Sequence, residues 1–117
     1  MFLKLSHMEL DIYNISKAFA LECYRITNSF PSQEKFGIIS QIRRAALSVH
    51  LNISEGFSRK SIAERKRFYE IARGSIIEID AALEIAVELN YIKNGELEEL
   101  GKLMLRSFQM ISKLILK

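Results

Sequence analysis

The stretch SQEKFGIISQIRRAALSVHLNISEG, residues 32–56, places apolar side chains at Ile39, Ile42, Ala46, Val49 and Ile53, always three or four positions apart. That spacing returns to one side of an α-helix on each turn and does not fit the strict alternation of a half-buried strand. Pro31 precedes the stretch, Ser32 can cap it, and Glu34 falls in the first turn, where the helix dipole favours a carboxylate. Gly56 offers a C-terminal stop, so the pattern predicts a helix over about residues 33–55.

The same period extends in both directions. Upstream, Ile12, Ile15, Phe19, Cys23, Ile26 and Phe30 predict a helix over about residues 8–30, closed by Pro31. Downstream, a loop at 57–60 leads to Ser61-Ile62-Ala63-Glu64, a capping-box pattern in which serine and glutamate satisfy each other's backbone donors. It opens a helix over about 62–90 with Phe68, Ala72, Ser75, Ile79, Leu83 and Ala86 facing inward. Asn94-Gly95-Glu96 makes a turn, and Leu97, Leu100, Met104, Phe108, Ile111 and Ile115 predict a last helix over about 95–116. Four such helices joined by short loops must lie antiparallel, which makes the fold all-α, an up-down-up-down four-helix bundle.

Composition agrees. The 117 residues are 49% hydrophobic, with one Pro and five Gly, enough for one core and of the size of a single domain. Cys23 is the only cysteine, which rules out an intrachain disulfide framework and points to a reducing compartment. No uncharged run reaches the roughly 18 residues of a membrane span, and the N-terminus carries no cleavage pattern, so a cytoplasmic protein without membrane contact is expected.

Catalytic and metal chemistry find little footing. His7 and His50 are the only histidines, and residues Lys4 and Leu47, three before each, do not complete the Glu-x-x-His pairs of di-iron bundles. No phosphate loop, nucleophile motif or zinc pattern occurs, so no cofactor, no metal and no enzymatic activity are expected. Glu55 is the one carboxylate in an unfavourable place, near a helix C-terminus, and calls for a partner among Arg44, Arg59 and Arg73. Arg44 and Asn52 share its polar face, and these residues are taken as structural.

Two features remain for function. Leu47 and Leu51 on the second helix, and Ile77 and Ile85 on the third, lie away from the core direction and predict a self-association surface; Gly74, a costly residue inside a helix, points to the same close approach. Charge supplies the other feature. The bundle end made of residues 1–17, 44–73 and 104–117 holds twelve Lys or Arg against five Asp or Glu, while the rest of the chain has five against nine. Its densest run is Arg59, Lys60, Arg65, Lys66 and Arg67, at the start of a helix whose dipole already attracts anions. A run like this is either a solvated face or a phosphate-binding corner.

The run from Gln41 to Gly56, continued by Phe68, by Ile71 to Ser75 and by Leu89 to Tyr91, resembles the signature of bacterial proteins encoded in intervening sequences of 23S rRNA genes. These are also known as S23 ribosomal or four-helix bundle proteins. The resemblance spans roughly residues 9–92, and the last helix agrees in pattern alone. It implies a homo-oligomer, typically a pentameric ring, without enzymatic activity. Related accessory proteins of diversity-generating retroelements are similar and bind nucleic acid, and the present chain is less basic than they are. The expected function is therefore an oligomeric module binding RNA or DNA, with a scaffold for an unidentified protein as the alternative.

Overall fold

The computed structural model describes all 117 residues and contains four long helices and no strands: α1 (Asp11–Thr27), α2 (Ile38–Ser58), α3 (Ile62–Glu88) and α4 (Glu98–Leu116). Each packs antiparallel on the next and α4 closes against α1, giving the four-helix bundle, 44 Å along its greatest extent. One core of 21 buried residues runs through it, with Phe19, Ile42, Ile53, Ile76, Ile79, Leu100 and Ile111 fully enclosed. No helix is long and apolar enough to cross a membrane.

The helix ends depart from the expected boundaries for local reasons. α1 begins at Asp11 because Leu10 is extended, and the preceding turn (Ser6–Glu9) folds back on α2 by burying His7, whose Nε2 lies 3.0 Å from Ser54 Oγ. α2 starts at Ile38 instead of following Ser32, which caps nothing. Residues Ser32–Glu34 form a short 3-10 turn, and Glu34 folds over Gly37, where any Cβ would collide with its carboxylate. The other carboxylate oxygen of Glu34 accepts a 2.7 Å hydrogen bond from Tyr91 Oη, joining the two loops at this end.

Gly56 does not stop α2, which continues to Ser58. Its lack of a side chain serves packing, since a Cβ there would sit 2.5 Å from the buried ring of Tyr69 on α3. α3 starts where expected, with Ser61 Oγ accepting from the Glu64 amide at 3.0 Å. It ends through Asn90, whose φ of 63° lets the amides of Asn90 and Tyr91 reach the carbonyls of Val87 and Ala86. A 3-10 turn, Asn94–Leu97, then leads into α4.

The core stripes hold with local substitutions. Tyr69 takes the buried place expected of Phe68, and Ser75 is half-buried against α2. In α4 the fully buried residues are Leu100, Ser107 and Ile111, with Leu97, Met104, Phe108 and Ile115 partly buried around them. This helix lies at the looser side of the bundle, and the Ser107 hydroxyl is enclosed without a partner.

Candidate nucleic-acid interface

The α2–α3 corner brings the five basic residues together, though not on one face. Ser58 ends α2, Ser61 caps α3, and the two residues between them, Arg59 and Lys60, make the connection. Arg59 is the most constrained: its guanidinium pairs with Glu55 at 3.0 Å and lies 4.9 Å above the ring of Phe68. Arg65 folds back so that its Nε donates to the Arg59 carbonyl at 2.6 Å, tying the loop to the first turn of α3. Lys60 and Arg67 are exposed and Lys66 is half-buried, and none of the three meets a carboxylate within ion-pair distance.

Consecutive helical residues point 100° apart, so Arg65, Lys66 and Arg67 fan around the end of α3. Arg65 and Lys66 border a shallow pocket with Phe57, Ile62, Tyr69, Leu114 and Lys117, which brings the C-terminus of α4 to the same corner. Arg67 is exposed and takes no part in that lining. The opening turn of α3 also carries its unpaired amides, and only that of Glu64 is covered by a side chain. The corner therefore offers diffuse positive charge of the kind that meets a phosphate backbone, with no shaped pocket for a single small anion.

Three of the four polar residues expected to be structural make contacts, and Arg44 makes none. Glu55 is half-exposed and held by Arg59, a surface pair of the kind worth about 0–1 kcal/mol. Asn52 Nδ2 donates to Ser48 O at 2.8 Å and Ser48 Oγ at 3.0 Å, and Ser75 Oγ donates to Ser48 Oγ at 2.9 Å, a polar seam between α2 and α3. Arg73 lies 4.8 Å over the ring of Phe108 on α4. Arg44 is exposed and unpaired on the outside of α2.

The sequence reading overlooked two part-buried latches. His7 stacks on Phe57 and meets Tyr13 edge-on, while His50 Nδ1 lies 2.8 Å from Ser16 Oγ with its ring against Tyr13. Burial, then Lys17 and His7, depress the His50 pKa. Arg43 is a third tie: it donates to Thr27 Oγ1 and Asn28 Oδ1 at 2.9 Å and lies over the Tyr24 ring, holding the end of α1 on α2. Cys23 is fully enclosed, and burial followed by the nearby Glu22 charge pushes its thiol up to about 12. No group of three or more His, Cys, Asp or Glu side chains is placed to hold a metal ion.

The apolar residues outside the core are all at the surface: Leu47 is 43%, Leu51 56%, Ile77 55% and Ile85 56% exposed. Ile71, Leu89 and Leu105 join them as exposed large apolar side chains. Ile77 and Leu105 flank an open groove of about 480 Å³ between α3 and α4, floored by Ile76, Met104 and Phe108 and edged by Asp80. Gly101 widens it, and the groove continues past Glu84 and Glu88 toward Asn94.

An antiparallel four-helix bundle with a basic corner and surplus apolar surface defines a class of small helical modules. Residues 8–113 match the family of 23S rRNA-intervening sequence proteins, and the chain belongs to that family. Among solved structures it is similar to a protein of unknown function from the S23 ribosomal protein family of Bacteroides thetaiotaomicron. The two share 22% identity with a TM-score of 0.78, over 89% of this chain and 97% of the other. No curated protein matches. Neither the family nor the solved structure carries an activity in its name.

Proposed function

We propose that this protein is a non-enzymatic, homo-oligomeric module of the cytoplasm that binds RNA or DNA through its α2–α3 corner. The observation that carries this reading is the set Lys60, Arg65, Lys66 and Arg67 at the opening of α3, none of them neutralised by a carboxylate. One corner alone would bind weakly, since a few unspecific phosphate contacts give dissociation constants of about 10⁻⁴ to 10⁻⁶ M at physiological salt. Several copies facing the same way would act together on one polyanion, and the family resemblance implies five.

The test is fluorescence anisotropy with a labelled RNA hairpin and a labelled DNA duplex between about 50 and 200 mM salt. Affinity should fall steeply as salt rises, and the triple variant Lys60→Glu, Arg65→Glu, Arg67→Glu should lose binding while keeping its oligomeric mass. A flat salt response, or binding unchanged in that variant, would overturn the electrostatic mechanism. The apolar α3–α4 groove with its acidic edge, Asp80, Glu84 and Glu88, favours the second reading, a protein-interaction scaffold. That reading would then stand in its place.

A further inference from the structure

α2 and α3 are locked at a definite relative height by contacts along their length. Gly56 faces Tyr69, Ser48 meets Ser75, and Glu34, just before α2, reaches Tyr91, just after α3. Each step along α2 is thus matched by one step back along α3. To within about one residue, or 1.5 Å of helix rise, Arg44 is level with Asp80, Leu47 with Ile77, and Leu51 with Gly74.

These levels matter for assembly because rotation about an axis parallel to the bundle leaves every residue at its own height. A second copy placed beside the first in that way brings its α2 edge to the α3–α4 groove in this same register. The edge carries Arg44, Leu47 and Leu51, exposed and unpartnered. The groove at that height offers Ile77 and Leu105 for an apolar side chain and Asp80 for a cation. Gly74, beside Ile77 on the outer face of α3, has nothing within 4 Å of where its Cβ would stand, which leaves room for an approaching side chain.

We infer that one copy of the chain seats the Arg44–Leu47–Leu51 edge of its α2 in the α3–α4 groove of the next, with Arg44 paired to Asp80 and Leu47 packed between Ile77 and Leu105. The contact is head-to-tail: each subunit presents a knob on one side and a groove on another, so parallel copies can close into a ring. Like charges would oppose the reversed alternatives, because two α2 edges meeting would juxtapose Arg44 with Arg44 and two grooves would juxtapose Asp80 with Asp80. This inference rests on the self-association proposed above and names the two surfaces that make it.

Complementation between two broken surfaces tests it. Leu47→Glu destroys the knob and leaves the groove, whereas Ile77→Glu destroys the groove and leaves the knob. By light scattering coupled to gel filtration, each variant alone should run at the 13.5 kDa chain mass. An equimolar mixture should form a one-to-one complex of twice that mass, since one intact knob meets one intact groove. Arg44→Asp and Asp80→Arg should each weaken assembly, and their combination in one chain should restore it. Both positions are at the surface, and unchanged far-ultraviolet circular dichroism would verify the fold of every variant. A multimeric wild type whose two variants do not complement, or assemble alone, overturns this pairing and leaves self-association standing. A monomeric wild type removes both.

Discussion

Alanine at two glycines should move stability in opposite directions. Both Gly56 and Gly74 lie inside long helices, where replacing glycine by alanine favours folding by about 1 kcal/mol through reduced backbone entropy. At Gly74 a new Cβ meets nothing within 4 Å, so that gain should appear in full. At Gly56 the Cβ would lie 2.5 Å from one ring carbon of Tyr69 and 3.0 Å from the next. The ring is 4% exposed and packs on Phe57 with centroids 5.5 Å apart, so it cannot yield without displacing a neighbour. Overpacking of this kind costs about 1–3 kcal/mol, and disturbing the aromatic pair adds about 0.5–1.5 kcal/mol.

After the helix gain, Gly56→Ala should lose about 0.5–3.5 kcal/mol, a fall in Tm of roughly 2–14 °C, while the Tm of Gly74→Ala should rise by roughly 4 °C. Thermal and urea unfolding followed by circular dichroism would read both, in the Leu47→Glu background so that changes in assembly do not enter through mass action. A Gly56→Ala protein as stable as its parent would refute the claim that this glycine sets the α2–α3 distance. It would mean that Tyr69 swings aside freely.

Two further expectations follow from the latches. His50 has its pKa held below the ordinary 6.5 by burial and by Lys17 and His7, so the unfolded chain takes up the proton first. Its contribution to stability should be complete above pH 6.5 and lost as pH falls through the lower folded value, and His50→Gln should flatten that part of a Tm profile between about pH 7.5 and 5. Arg43→Ala should cost about 1–3 kcal/mol in urea unfolding, because it removes the hydrogen bonds to Thr27 and Asn28 as well as the cation over the Tyr24 ring; a loss under about 0.5 kcal/mol would show the tie to be ornamental.

The helical period alone was enough to establish the bundle. Ile39, Ile42, Ala46, Val49 and Ile53 recur at a spacing that only a helix can turn to one side, and four such segments with short loops leave no other compact arrangement. The same period showed that Leu47, Leu51, Ile77 and Ile85 face outward, because direction around a helix is a local property of position along the chain. The density of charge at residues 59–67 was equally legible, though not that Arg59 and Arg65 are partly spent on Glu55, Phe68 and the loop carbonyl.

What the tertiary structure alone decided was everything that depends on the distance between helices. Gly56 read as a stop because glycine often ends helices, and only the ring of Tyr69 packed against it revealed a spacing role. Ser32 read as a cap, but Glu34 folding over Gly37 and bonding Tyr91 from the far end of α3 delayed the helix to Ile38. His7 and His50, too far apart in sequence from Ser54 and Ser16 to be linked by any local pattern, became latches when antiparallel packing brought them within 3.0 Å and 2.8 Å. The relative height of α2 and α3, which aligns Arg44 with Asp80, belongs to the same class. Direction around a helix is written in its own residues, whereas the level at which two helices meet is settled by the side chains that interlock between them.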